Sequence, residues 1–351
     1  MKKYYFFVGF LICMLTGCGN SNTAEGETNQ NIVDFPENYN KTIENVVFNT
    51  NIVINRNSEK QTLYETTATI QKKDNDKAYE VLFEDVDSEK AADIDRADGK
   101  EIYYQGTNGE SLFITPYTLF MSKTLYPYIV NAFSLEGEDN NADLYLTGKE
   151  FAFSDIKQAY QNIVETASLF GLDISGQYTC YSLDYNQMKE NEYAFGNDGK
   201  INVDSYKTCW EEKDNGYYFA IHQILQGYVV QYPLADVYCN ITDANAPIQV
   251  LYTENGIEML DICEIFTFSQ SDQKLNLVSF DEIAMTVADK YSMILSDAEY
   301  EVTRAELFFR PIKNEKDTYD VVPAWEISIV DKKTNTYSWM YINAATNEEI
   351  V

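Results

Sequence analysis

Histidine occurs once in the 351 residues, at His222. A zinc site of the His-Glu-x-x-His kind is thereby excluded, and a Ser-His-Asp triad would have a single candidate base. Basic residues are scarce as well: 26 Lys and Arg stand against 56 Asp and Glu, a formal net charge of −30. Such a surface repels nucleic acid and anionic headgroups, and suits solubility, a cation-rich exterior or basic partners. Gly-x-Ser-x-Gly, a phosphate-binding loop and Cys-x-x-Cys are all missing from the chain. No apolar run reaches the roughly 20 residues that a spanning helix needs.

The apolar run that is present follows Lys2 and Lys3, covers residues 4–14 and ends at Leu15-Thr16-Gly17-Cys18. A positive end, a short apolar stretch and small residues at the cut make a secretory signal. The tetrapeptide resembles the lipobox of bacterial lipoprotein signals. That resemblance implies a signal peptide at residues 1–17, a diacylglyceryl group on Cys18 and lipid anchoring at the extracytoplasmic face of the cell membrane. Two acyl chains hold a protein stably where one is marginal. Residues 18–40, rich in Asn, Thr, Glu and Gly, read as a flexible tether. With Cys13 removed and Cys18 lipidated, Cys180, Cys209, Cys239 and Cys263 remain. An even count in an exported chain permits two disulfides in three connectivities, or buried free thiols.

Beyond the tether, residues 41–150 read as a β-rich region. β-branched runs predict strands at 46–54 and 62–71, and a short apolar run predicts one at 79–83. Residues 116–133 carry helical spacing, with Pro127 as a break. A helix is expected over 154–170, with Ile156, Tyr160, Ile163, Ala167 and Phe170 on one face, Ser154 as its cap and Gly171 at its end. Strands follow at 178–183, 217–224 and 248–252, and Asn255-Gly256 predicts a hairpin. A second helix is expected over 280–295, with Ser279 and Glu282 as a capping box, before strands at 299–309, 319–330 and 337–344. Helix followed by strands thus occurs twice, over 151–275 and 276–351, and implies a helix on a twisted antiparallel sheet each time.

Two stretches make the close of the chain more specific: Pro323-Ala324-Trp325-Glu326 and Tyr341-Ile342-Asn343-Ala344-Ala345-Thr346-Asn347-Glu348-Glu349-Ile350-Val351. They resemble the end of PepSY-type domains and of the YycH/YycI regulatory proteins. There a Pro-x-Trp-like strand precedes a hairpin with a turn glycine, where this chain has Asn347. Asn tolerates the left-handed conformation, so the turn survives. The whole plan also looks like uncharacterised lipoproteins of low-GC Gram-positive bacteria. The resemblance implies an α+β fold with tandem PepSY-like modules, and it supplies no catalytic residues.

Three constellations could carry chemistry, and each falls short of it. Ser154-x-x-Lys157 outlines an acylation motif, but a partner Lys-Thr-Gly is absent and Ser154 serves more simply as a helix cap. Asp93, Asp95, Asp98 and Gly99 suggest a calcium loop, yet Ala97 and Tyr104 occupy positions that need oxygen ligands. Among 56 acids no two stand out as a glycosidase pair. The sequence therefore points to a binding or regulatory protein with no catalytic residue, metal or cofactor, and with a membrane or cell-wall protein as a partner. The alternative is an envelope glycan or peptidoglycan hydrolase using acidic residues. A transporter's solute receptor is disfavoured because the alternating βα pattern is missing.

Overall fold

Apolar residues alternate with polar ones along several strands, and helices cover the apolar face of each large sheet. The computed structural model describes residues 35–54, 62–97, 99–135, 140–193, 206–231, 242–294, 298–314 and 318–351. Cys18, Asp98 and Cys239 lie outside them. In chain order the first elements are β1 (Asn38–Ile43), β2 (Val46–Ile54), β3 (Leu63–Ile70), α1 (Asn75–Leu82), β4 (Ser88–Arg96), β5 (Gly99–Gly106), β6 (Ser111–Ile114) and β7 (Leu119–Ser122). The middle holds α2 (Tyr126–Ile129), α3 (Ile156–Ser168), β8 (Gln177–Leu183), α4 (Tyr185–Asn191), β9 (Gly216–His222), β10 (Ile224–Leu225), β11 (Tyr228–Val229), β12 (Ile248–Thr253), β13 (Gly256–Ile262) and β14 (Phe266–Leu275). The chain closes with α5 (Phe280–Ser292), β15 (Tyr300–Lys313), β16 (Tyr319–Asp331), β17 (Thr336–Asn343) and β18 (Glu349–Ile350).

Two eight-stranded sheets result. One is antiparallel throughout, in the order β4-β5-β6-β7-β13-β12-β9-β8. Its one face is covered by α1 and α3 through Ala78, Leu82, Ala159, Ile163 and Ala167. Its other face buries Phe133, Tyr145, Met188 and Trp210. The second sheet runs β1-β2-β15-β16-β17-β18, with β3 on β16 and β14 on β3. Here α5 lays Phe280, Ile283, Ala284, Val287 and Tyr291 on the apolar side of β2, β15, β16 and β17. Ser279 accepts from the Glu282 N–H and Glu282 returns a bond to the Ser279 N–H, which is the expected capping box.

Several expectations change. Residues 79–83 belong to α1 and its end, because Asp74 caps a helix there by accepting from the Lys77 N–H. Residues 116–133 form β7 and the short α2 instead of a helix; Leu119 and Met121 alternate inward as a strand requires. Asp155, not Ser154, caps α3 by accepting from the Gln158 N–H. The β12–β13 hairpin forms, but Glu254 and Asn255 make its tip while Gly256 follows with φ +88°. The closing sheet also reaches into residues 38–70. β2 pairs in parallel with β15, about which local pattern says nothing.

The crossing between the sheets is held by side-chain amides. Gln223 Nε2 donates to the Phe266 carbonyl at 2.9 Å and Gln223 Oε1 accepts from the Phe266 N–H at 2.8 Å. Gln226, at the β10–β11 turn, accepts from the Tyr64 N–H and donates to the Tyr64 carbonyl. Gln71 donates to the Phe266 and Asp173 carbonyls and accepts from the Asp173 N–H. Each amide occupies backbone groups where no neighbouring strand does so.

Trp325 sits at the centre of the closing module, 0% exposed. Period-two alternation groups it with buried Ile327 and Ile329. Phe35 and Phe280 meet it edge-on, with ring centroids 5.0 and 5.2 Å away. Trp325→Ala should destabilise the chain by about 3–5 kcal/mol, the range for losing a large buried aromatic. The lower end is expected, because the indole N–H has no hydrogen-bond partner and its loss costs nothing. Thermal and denaturant unfolding measure this; an unchanged midpoint would sink the packing account.

Candidate functional site

The closing motif builds a forked sheet. On one edge of β16, Tyr319 to Val321 pair with Ala68 to Thr66 of β3. On the same edge β17 pairs from Ala324 onward. β3 and β17 both run antiparallel to β16, so they meet head to tail and must splay apart. Pro323 stands at the fork. Its carbonyl accepts from the Ala344 N–H at 2.8 Å, so its nitrogen faces the same edge. An ordinary residue would return a bond to the Ala344 carbonyl; proline has no N–H, and the Val278 N–H takes that carbonyl instead. The entry to α5 is thereby tied to the fork.

The splayed strands enclose a groove of about 580 Å³, within the range of small-ligand sites. Leu275, Val321, Pro323 and Ala345 supply its apolar part. Thr67, Ser269, Gln270, Asn343 and Thr346 supply hydroxyls and amides, and Glu65 and Asp320 add two carboxylates. No Lys, Arg or His lines it. Asn343 Oδ1 accepts from the Ala345 and Thr346 N–H groups, which shapes the closing turn, and Asn347 there takes φ +61°. That left-handed residue stands where the PepSY-like pattern has glycine, as expected.

Across β15 and β16, on the face opposite Trp325, Glu306 and Glu326 lie directly opposite each other. Like charges at such a position repel. Arg304 holds Glu306 at 2.7 Å, and Gln231 Nε2 donates to Glu326 at 3.1 Å. Burial pushes the Glu326 carboxyl above the usual carboxylate range, and Glu306 adds to this against hydrogen bonds from Tyr341 and Gln231. Burial, with the Glu326 charge, also pushes the Tyr341 phenol up to about 12. The Arg310 guanidinium lies 3.9 Å from the Tyr341 ring centre. Sequence reading missed this pair. Its signal was a lone acid amid apolar residues in each strand, Ala305-Glu306-Leu307 and Trp325-Glu326-Ile327, but only strand register sets the two face to face.

The other candidates stay apart. Asp93 is bonded by Lys90 and Lys100, both at 3.2 Å, so the carboxylate a cation would need is already in use. Hydrogen bonds from those two lysines also hold it below its ordinary value. Ser154 Oγ donates to the Asp155 carbonyl. His222 is buried on β9, and its Nε2 lies 3.7 Å from Asp243 Oδ1, too far for a hydrogen bond. Asp243 instead accepts from the Tyr181 hydroxyl at 2.7 Å. Cys180, Cys209 and Cys263 are free thiols, and burial pushes Cys180 up to about 12 and Cys263 to about 11. Among the described residues, no group of three or more His, Cys, Asp or Glu is placed to hold a metal ion. No described helix is long and apolar enough to cross a membrane.

These features define an α+β protein of two large, mainly antiparallel sheets with scattered helices. No family model matches the chain, and no curated protein matches it. Among solved structures it is similar to an uncharacterized protein from Eubacterium rectale, with a TM-score of 0.60 and 15% identity over 90% of this chain and 94% of that one. At that identity the likeness concerns the fold alone. A second likeness, to the C-terminal domain of YpeB from Bacillus megaterium, has a TM-score of 0.26 and 10% identity over 80% of this chain and 96% of that one. At that TM-score the likeness bears no argument.

Asp261 gives a test of the electrostatics. It lies on β13 between Gln249 and Phe120 of the adjoining strands, and burial pushes its carboxyl up to about 6. An acid whose folded value is raised favours the fold below its unfolded value, and that contribution is lost as pH rises through the folded one. Asp261→Asn should therefore raise the thermal midpoint at pH 8 and change it little at pH 4. An equal shift at both would show that the carboxyl is not desolvated.

Proposed function

We propose that the chain is a lipid-anchored binding or regulatory protein without catalytic activity, held at the extracytoplasmic face of the cytoplasmic membrane by a diacylglyceryl group on Cys18. The lipobox-like Leu15-Thr16-Gly17-Cys18 supports the address. The observation that carries the role is the groove at the fork, because the stretches that resemble a PepSY close, through Pro323, Asn343, Ala345 and Thr346, are the ones that line it. The reading as two PepSY-like modules rests on a helix against each sheet: α3, beside α1, on the antiparallel one and α5 on the forked one. A charge of −30 favours a basic or neutral partner, a membrane or cell-wall protein, over nucleic acid. Disulfides among Cys180, Cys209, Cys239 and Cys263, which the even cysteine count permits, are not part of this proposal, because Cys180, Cys209 and Cys263 stand as free thiols. Thiol counting of the denatured, unreduced chain tests this.

Two measurements test the core of this reading. Cys18→Ala should leave an uncleaved, unlipidated precursor and release or mislocalise the chain; intact mass of the membrane-extracted wild type showing an unmodified Cys18 would overturn the address. Cross-linking in cells followed by capture should recover a reproducible membrane or wall protein, and recovery of none would overturn the role.

A second reading has one observation in its favour, the in-register Glu306–Glu326 pair. Two carboxyls whose surroundings differ are the equipment of an acid-base hydrolase. On that reading the purified chain turns over peptidoglycan or glycan, and Glu326→Gln abolishes turnover. No turnover across a broad substrate panel disposes of it.

A further inference from the structure

The strand edges around the groove are already spent. Thr66 and Val321 pair with each other, and Pro323 has no N–H to offer. The Ala344 N–H bonds the Pro323 carbonyl, and those of Ala345 and Thr346 bond Asn343 Oδ1. Gln226 takes both backbone groups of Tyr64, where β3 leaves the fork. An extended peptide adds to a sheet through main-chain hydrogen bonds, and along β16 and the closing turn those groups are already taken.

Recognition in the groove therefore falls to side chains. Thr67, Ser269 and Gln270 are exposed and make no side-chain hydrogen bond among the described residues. Hydroxyls and carboxamides both donate and accept, which matches a ligand whose own groups do both. With no cationic side chain in the lining, an anionic ligand would meet no counter-charge. The two carboxylates are engaged within the fold. Glu65 accepts from Gln273 at 2.6 Å and Asp320 from Asn314 at 3.1 Å, which fixes both carboxylates at the rim, each with acceptor lone pairs left for ligand hydroxyls. Opposite the polar groups, half-buried Leu275, Val322 and Ala345 present C–H surface. A ligand that is hydroxyl-rich on its rim and apolar on its ring faces fits both sides.

The geometry points to a binding site for a neutral oligosaccharide in the groove between β3–β14 and β16–β17. This rests on the reading of the groove as the binding site of the proposed function, and it names the ligand class. Contact runs through Thr67, Ser269 and Gln270 on one wall and Asn343 and Thr346 on the other. The saccharide is bound and not altered, so no bond is made or broken.

The test uses the full chain in detergent, titrated calorimetrically with two neutral tetrasaccharides, chitotetraose and cellotetraose. Spermine and tetra-alanine are the cationic and peptide controls. At least one tetrasaccharide should bind. Ser269→Trp, which fills the groove from an exposed position, should weaken that binding by about tenfold or more, the equivalent of about 1.4 kcal/mol. Gln270→Ala should weaken it by less, with the thermal midpoint unchanged in both variants. Binding of neither tetrasaccharide overturns the inference, as does tetrasaccharide binding that Ser269→Trp leaves intact. Spermine or tetra-alanine as the sole ligand overturns it too, in favour of a cation or peptide site. Failure of the wider reading looks different: the cellular cross-link recovers no partner, or Cys18 is unmodified, whatever the saccharides do.

Discussion

Backbone hydrogen bonds at the crossing between the two sheets constrain everything else. A buried N–H or C=O without a partner costs about 1–3 kcal/mol, and a chain passing from one sheet to another leaves such groups behind. Gln223 meets both groups of Phe266, Gln226 both groups of Tyr64, and Gln71 bridges Phe266 to Asp173. A glutamine amide presents one acceptor and two donors, so a single side chain can stand in for a neighbouring strand. Strands β9, β13 and β3 can then leave their ladders at the crossing without exposing their backbones. The fork depends on the same device, because β3 can diverge from β17 only if the edge it abandons is satisfied.

The groove follows from that divergence and from one proline. Within a central strand, proline is normally excluded by its missing donor. Pro323 is tolerated because the carbonyl it would have bonded is served by the Val278 N–H. One substitution of backbone chemistry thus ties three things together: the parting of β3 and β17, the start of α5 and the placement of Trp325 two residues on. Two residues on from Pro323, Trp325 begins a buried row with Ile327 and Ile329, at or near zero exposure. On the opposite face of the same strands sits the Glu306–Glu326 pair, held by Arg304, Gln231 and Tyr341. Groove and acid pair both draw on one strand, β16.

Much of this was legible in advance where local physics decides. The α5 helix announced itself through Ser279 and Glu282, and the inward position of Trp325 through its period with Ile327 and Ile329. Asn347 announced a left-handed turn. The misreadings share a cause. Residues 79–83 and 116–133 are short apolar runs, for which periodicity cannot separate a buried strand from a helix segment. Asp74 and the ladder with β13 settled them the other way. The acid pair was invisible because two glutamates 20 residues apart become neighbours only once register is known.

What the sequence by itself determined was the local vocabulary: the lipobox-like start, the acidic surface, the caps, the alternation of the closing strands and the residues of the closing turn. Each depends on neighbours within a few residues, where side-chain pattern and backbone preference act directly. Only the tertiary structure decided the parallel pairing of β2 with β15, the attachment of β3 beside β17 on one edge of β16, and hence the groove. These are contacts across some 250 residues of chain. No local pattern encodes them, because any strand with an apolar face can serve any sheet. The choice falls to the joint packing of both cores and to the few amides and the single proline that make the crossing and the fork affordable.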